Sequence, residues 1–533
     1  MEEGLNQPKP RPEKYAHLLA DIERGFIKIP KFQRDFIWNI QQTAKLLDSI
    51  IKGYPIGTFI LWKTRERLGN IKEIGGVDLP ATPSGDSVQY VLDGQQRLAS
   101  LYVALKGLKI QKGGRTIDYK KIYVNLDEDI DSDEPIITSE RPENVVSITV
   151  HDLLSEKMSY FTKNYPDYID KIQEYLQRFK TYDFSTIALE DYHIDAAIEV
   201  FTRINTTGTE LTLFEIMSAR TYDEEKKFDM QEKYSELQDE LERVGYDTIP
   251  SSTVLQCLSV NLVQEATRKA ILKLDKDDII NTWDESVESI KSAIDYLRTS
   301  YRIPASLLLP YNALLVPFSH FFFNNDNKAP NPTQKLFLQE YFWRSSLSYR
   351  FSEAVETKLG QDAKRVDQII DGKRPKYDFN ILLEEEKLKS WEFSTGDSYC
   401  KAILCLFAYY KPRSFDDDSD VILDNSWLKR SNSRNYHHFF PRKYLENNNI
   451  KNENSIVNIT LVSERLNKRE IGAKPPSKYM KKFEESNPRL SETLKTHLID
   501  DLNEFGIWTD DYEKFLEERA KKIIRKLRKR IEI

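Results

Sequence analysis

The chain has 533 residues, 40% apolar and 11% aromatic, with 78 Lys and Arg against 85 Asp and Glu for a net charge of −7. That length exceeds one core and implies two or three domains, and the apolar content excludes a disordered chain. The acidic balance excludes a protein that coats nucleic acid uniformly, and three cysteines (Cys257, Cys400, Cys405) without a CxxC pair exclude a disulfide framework and speak against structural zinc.

The opening stretch, MEEGLNQPKPRPEKY, is polar and proline-rich and shows no signal peptide. Next, NIQQTAKLLDSIIKGYP predicts a helix capped by Asn39, with Leu47, Ile50 and Ile51 on one face and Gly53 and Pro55 as stops. GTFILW (57–62) reads as a short buried strand. SVQYVLDGQQRLASLYVALKG reads as a strand to Leu92, a turn at Asp93 and Gly94, and a helix ending at Gly107. KKIYVNL (120–126) is a further strand. IDAAIEVFTRINTTGTELTLFEIMSAR predicts a helix, a break, and a second helix begun by a Thr212/Glu215 capping box.

Residues 226–385 carry helical periodicity with almost no strand signal. The most apolar run, 303–323, is broken by Pro304, Pro310 and Pro317, so it reads as buried helices and not as a membrane span. RSFDDDSDVILD (413–424) is a polar surface loop entering the last segment. That segment ends in an amphipathic helix whose stripe is Leu516, Ala520, Ile523, Leu527 and Ile531. The expected class is α+β and multidomain, with boundaries near 225 and 385, in a soluble cytoplasmic protein without a membrane segment.

Charge is uneven along this plan. Residues 421–533 hold 24 Lys and Arg against 17 Asp and Glu, a balance of +7 that leaves −14 on the rest. A basic end on an acidic body suits an anionic partner such as DNA; nine of its basic residues lie in 514–533 and equally suit a basic helical tail.

Two stretches carry chemistry. NYHHFFPRKYL (435–445) sets His437 beside His438 in a chain with seven histidines. Cutting a phosphodiester with one metal ion needs a base for water and a cation for the leaving oxygen, and neutral imidazole suits the base. Downstream, Asn458 lies in the strand-like SIVNITLV and Asn467 in the helical SERLNKRE, so a hairpin followed by a helix gathers the four residues. Lys474 and Lys478 follow as phosphate contacts. By themselves, two adjacent histidines in an Asn-rich region also fit a surface coincidence.

The second stretch is the strand–turn–helix at Asp93, Gly94, Gln95, Gln96 and Arg97. It places backbone N–H groups, two amides and a guanidinium at a helix N-terminus, which is an anion site by construction. Asp93 as a simple cap paired with Arg97 explains the same residues equally well. No Walker A motif occurs, so nucleotide chemistry here is not of the P-loop kind.

The histidine pair, Pro441, the two asparagines and GAKPPSKYM together resemble the HNH (ββα-metal) nucleases, in the branch where the last histidine is asparagine. The resemblance implies His438 as general base, Asn458 as the residue orienting it, and His437 and Asn467 as ligands of Mg²⁺, Mn²⁺ or another divalent ion. Many relatives carry Asp or Glu where His437 stands. IPKFQRDFIW (29–38), YPIGTFILW, VLDGQQRLASL and VFTRINTTGTELT (200–212), in that order, resemble the ParB/sulfiredoxin-like N-terminal domain of GmrSD-type modification-dependent restriction enzymes and relatives such as BrxU and SspE. YFWRSSLSYRFSEAVETKLGQDAKRVDQII (341–370) is similar to that family's helical region.

This second resemblance implies a three-part chain. Residues 1–225 form a ParB/sulfiredoxin-like α/β domain that binds and hydrolyses a nucleoside triphosphate (GTP, CTP, UTP or ATP, left open) and senses modified DNA. Residues 226–385 form a helical linker domain, and 386–533 an HNH domain. Asp93 and Arg97 stand in the nucleotide chemistry, with Gln33, Arg34, Gly94, Gln95, Gln96 and Asn205 lining the pocket; Gly208 belongs to the same loop as Asn205, and Phe36 and Trp38 equally suit a core. The implied activity is an antiviral endonuclease or nickase acting on double-stranded, modified phage or foreign DNA, with a homodimer as one arrangement of an oligomeric state left open. The alternative is a ParB-like, nucleotide-dependent DNA-binding switch with a non-catalytic HNH fold.

Overall fold

The computed structural model describes all residues except 1–7, 31–37, 69–72, 75–76, 84, 113–114, 191, 193, 205–211, 426–427, 429–435, 464–465 and 533. The chain divides into two compact units, Met1–Gln231 and Glu232–Ile533.

The first unit is α/β. Its main sheet holds β1 (Lys9–Glu13), β2 (Ile27–Lys28), β3 (Phe59–Thr64), β4 (Val88–Asp93) and β5 (Phe184–Glu190), in the order β1-β5-β3-β4-β2. Pro10 and Pro12 lie on β1, an edge strand, where a missing N–H costs no ladder bond. β5 runs parallel to β3, with Thr186 opposite Phe59, and β3 runs antiparallel to β4 with a register shift between Ile60 and Leu61. Helix α1 (Ile40–Ile51) begins at Asn39, whose side chain accepts from the Gln42 N–H while the Gln42 side chain caps Asn39 in return. Its Leu47, Ile50 and Ile51 are buried in the core shared with α2 (Gln95–Leu105). The Thr212/Glu215 capping box is present as well.

The second unit is mostly helical. Helix α3 (Lys276–Ser300) packs along α4 (Leu315–Asn324), which follows two short 3₁₀ turns, Ser306–Leu308 and Asn312–Leu314, that come after Pro304 and Pro310 in turn. Between α5 (Pro332–Ser346) and α6 (Val355–Ile370) lie two buried ion networks. Glu340 is gripped by Arg344 at 2.7 Å and Arg374 at 2.8 Å; Asp362 is gripped by Arg350 at 3.0 Å, Arg365 at 2.7 Å and the Tyr341 hydroxyl at 2.8 Å. Fully buried carboxylates persist only with such complete pairing. Helix α7 (Ser398–Tyr409) carries Cys400 and Cys405, both buried and free.

The C-terminal part of this unit contains one hairpin, β6 (Tyr436–His438) against β7 (Ile459–Leu461), with His437 opposite Thr460 and His438 opposite Ile459. The strand expected over SIVNITLV is shorter than its pattern suggests. Residues 456–458 curl into a 3₁₀ turn, because the Asn458 side chain binds back to the backbone instead of continuing the ladder. Leu466–Ile471 forms a π-helical turn, and α8 (Tyr512–Ile531) closes the chain with its predicted stripe buried. Among the described residues no helix is long and apolar enough to cross a membrane.

Candidate functional site

The histidine pair sits on β6, where successive side chains face opposite sides of the strand. The His437 ring is buried among Phe415, Phe439 and Tyr479. Thr460 Oγ1 donates to the His437 carbonyl at 3.2 Å, so the same oxygen accepts from His437 Nδ1–H at 3.0 Å. That tautomer leaves Nε2 a bare lone pair, buried and without a hydrogen-bond partner among the described residues. Burial first, then His438, His497 and Arg519, hold this ring well below the usual histidine pKa, and it is neutral.

His438 faces a different set of neighbours. Its Nε2 donates to Asn454 Oδ1 at 3.0 Å, and the Asn454 amide donates in turn to the Phe393 carbonyl at 3.1 Å and to Glu392 Oε1 at 3.3 Å. Both amide partners are acceptors, which fixes the Asn454 orientation and therefore the Nε2–H tautomer of His438. Nδ1 is left as the basic nitrogen. Burial lowers the His438 pKa, the Asn454 contact opposes that shift, and the nearby Arg442 lowers it further. Residues 391–393 reach this corner by pairing with 454–456, Phe393 N–H to Asn454 O at 2.8 Å and Ile456 N–H to Trp391 O at 2.9 Å.

Asn458 is fully buried and its side-chain hydrogen bonds go to backbone and not to either imidazole. Its Oδ1 accepts from Phe440 N–H at 2.9 Å and its amide donates to Phe440 O at 2.9 Å and Glu453 O at 3.2 Å, so it clamps the turn that follows His438. Asn467 lies in the π-helical turn, and its side chain is outside the described residues. Lys474 and Lys478 are exposed, with Lys474 Nζ on the Glu470 carbonyl at 2.8 Å.

A divalent ion shared with the base does not fit the described side chains. His437 turns its free nitrogen into an aromatic pocket beside Arg519 and His497, while His438 looks toward Asn454, and no cluster of three or more His, Cys, Asp or Glu stands ready among the described residues. Mg²⁺ and Mn²⁺ favour oxygen ligands, and repulsion from Arg519 opposes a cation in the His437 pocket.

Sequence reasoning passed over Asn454, Glu392, Thr460 and Arg519. Asn454 is one of several asparagines in a run, NNNIKNENS, that shows no pattern. Arg519 does leave a trace, because it interrupts the buried face of α8 between Leu516 and Ala520. It is fully buried: Nη1 donates to Ile459 O at 2.7 Å and to Val457 O, and Nε and Nη2 reach His497 O at 3.2 and 3.1 Å. Burial without a carboxylate partner lowers its pKa to about 9.

In the first unit, α2 starts at Gly94, which holds a left-handed φ of 92°. Arg97 bonds to Asp93 Oδ2 at 2.9 Å, Ile56 O at 2.7 Å and Thr58 O at 3.1 Å, and it lies 5.2 Å over the Phe59 ring. A Cβ on Gly57 would stand 2.3 Å from Arg97 Nη1, and one on Gly94 2.5 Å from Phe59 Cδ1. The two glycines are what let strand, loop and guanidinium close together. Gln96 Oε1 accepts from Trp38 N–H at 3.3 Å, Gln95 is buried, and Trp38 packs on the core. Gln33, Arg34, Phe36, Asn205 and Gly208 lie outside the described residues.

Residues 15–222, within the first unit, match the family model described as the GmrSD restriction endonuclease, N-terminal domain. The chain is also 25% identical over 590 aligned positions to the uncharacterized protein MJ0686 of Methanocaldococcus jannaschii, across 96% of this chain and 97% of that protein.

Proposed function

We propose that this chain is a GmrSD-type DNA endonuclease or nickase in which residues 1–225 bind and hydrolyse a nucleoside triphosphate, sense modified DNA, and gate an HNH-like centre in 386–533 across the helical segment between them. The observation that carries the reading is the hydrogen bond from His438 Nε2 to Asn454 Oδ1, which holds a neutral imidazole in one tautomer with Nδ1 unprotonated. The domain match at 15–222 supports the same reading from the other end.

In the proposed reaction, a water oxygen bonds to phosphorus as one P–O ester bond breaks. The water's proton passes to His438 Nδ1, and the departing alkoxide takes a proton from solvent. Arg442, whose charge lowers the His438 pKa, would meet the phosphate, and Asn458 keeps the following turn in place. The HNH resemblance calls for a divalent ion (Mg²⁺ or Mn²⁺) with His437 and Asn467 as ligands, but the described side chains do not gather around one, and no step above passes through it.

The non-catalytic switch is the second reading, favoured by the opposite faces of β6 on which the two histidines stand. One panel decides between them: wild type and His438→Ala with Mg²⁺ or Mn²⁺, with and without nucleoside triphosphates, on unmodified, glucosylated-hydroxymethylcytosine and phosphorothioate DNA. Cleavage by wild type alone supports the nuclease and names the modification. Equal cleavage by both removes His438 as base, and nucleotide hydrolysis without any cleavage favours the switch.

A further inference from the structure

A cavity of about 300 Å³ opens in the second unit, lined by Arg298, Arg302 and Lys411 with Pro304, Val421 and a single carboxylate, Asp420, among its other walls. Its volume is at the small end of ligand sites, the scale of one nucleotide. Arg298 stands in the last turn of α3, and Arg302 and Lys411 lie at the chain reversals just beyond α3 and α7, both with left-handed backbone.

The charges are not used up by the protein. Arg298 Nε is buried and has no hydrogen-bond partner among the described residues. Arg298 likewise has no ion-pair partner among the described residues, so its charge is left for an anion at the cavity wall. Lys411 has no ion-pair partner among the described residues. Arg302 alone is anchored, through Tyr409 O at 2.8 Å and the Tyr409 ring at 5.1 Å. Asp420 is largely exposed and is drawn instead toward Arg413 Nε at 3.9 Å.

We infer that this cavity binds a nucleoside phosphate unit, with the phosphoryl oxygens on Arg298 and Lys411 and the apolar part of the ligand against Pro304 and Val421. The unit can come from a free nucleotide or from one residue of a nucleic-acid strand; both present the same oxyanion on a partly apolar body. The inference rests on the cavity and does not depend on the proposed nuclease chemistry, so it is tested by binding.

The experiment is hydrogen–deuterium exchange on the full chain with ATP or a short single-stranded oligodeoxynucleotide, reading peptides that span 298–304 and 408–412. Slowed exchange in both peptides with either probe, abolished in Arg298→Gln/Lys411→Gln with affinity about tenfold weaker, is the expected result; the active probe identifies the source. Neither peptide slowed by either probe, or slowing that persists in the double variant, overturns it. Should that variant fail to fold, Asp420→Asn decides: removing the lone carboxylate should tighten binding about threefold, and unchanged affinity overturns the inference.

Discussion

His438 Nε2 and Asn454 Oδ1 are 3.0 Å apart, and Asn454 is held on its far side by the Phe393 carbonyl and Glu392. The orienting partner of the proposed base therefore comes from the loop before the 3₁₀ turn, 16 residues after the histidine. Asn454→Ala should lower the rate of DNA cleavage roughly 10–100-fold, the usual penalty for losing the partner that orients a catalytic or ligating histidine. Asn454→Asp keeps the acceptor and should recover most of that loss. Both rates are read in one cleavage time course, and equal losses in the two variants would count against an orienting role.

Gly53 and Gly57 separate backbone strain from crowding. Both hold positive φ, 76° and 86°, but a Cβ meets nothing within 4 Å at Gly53 and lies 2.3 Å from Arg97 Nη1 at Gly57. Gly53→Ala should cost about 1–2 kcal/mol from the left-handed backbone alone. Gly57→Ala should cost more, and the excess should vanish in an Arg97→Ala background. Denaturant midpoints of the four variants give the coupling directly; additive effects would mean the guanidinium simply moves aside.

Arg519 ties α8 to three backbone carbonyls, those of Val457, Ile459 and His497. Arg519→Met fits the apolar stripe yet strips these acceptors of their donor, so a loss of roughly 3–5 kcal/mol is expected. Chemical denaturation followed by tryptophan fluorescence measures it. A loss under about 1 kcal/mol would show that water replaces the guanidinium.

Acid should weaken the second unit through His497. Its Nε2 donates to Arg413 O at 2.7 Å, and burial pushes its pKa down to about 3 from the ordinary 6.5. The folded form excludes a proton that the unfolded chain accepts. Stability from this group is intact above about 6.5 and falls as pH drops, by roughly 1.4 kcal/mol per pH unit, until the folded ring titrates. His497→Gln keeps a donor for Arg413 and removes the titration. Its urea midpoint should fall less steeply between pH 6.5 and 4.5 than the wild-type midpoint; parallel slopes would refute the assignment.

Local signals in the chain were legible and distant ones were not. The Asn39 and Thr212 caps, the buried face of Leu47, Ile50 and Ile51, and the β4–Gly94–α2 junction all follow from spacing within a few residues. Asn454 and Glu392 are 62 residues apart, and only the pairing of 391–393 with 454–456 joins them. Asn458 sits in a strand-like pattern, but its amide satisfies the Phe440 backbone better in a 3₁₀ turn than on a ladder. The opposed faces of His437 and His438 follow from strand alternation, and the family pattern that groups them by proximity in sequence does not carry that information.

The pairing of β1 with β5 has a bearing on how the protein is made. Lys9 meets Ala188 and Glu13 meets Phe184, so the sheet's first strand must wait for its last neighbour before its edge is covered. During synthesis the N-terminal strand emerges early and stays without its sheet partner until residues near 190 have left the ribosome. Closing so long a loop is entropically costly and slows assembly of the unit. Pro10 and Pro12 then serve the nascent chain as much as the native one, since a strand lacking those N–H donors is a poor template for pairing with another chain.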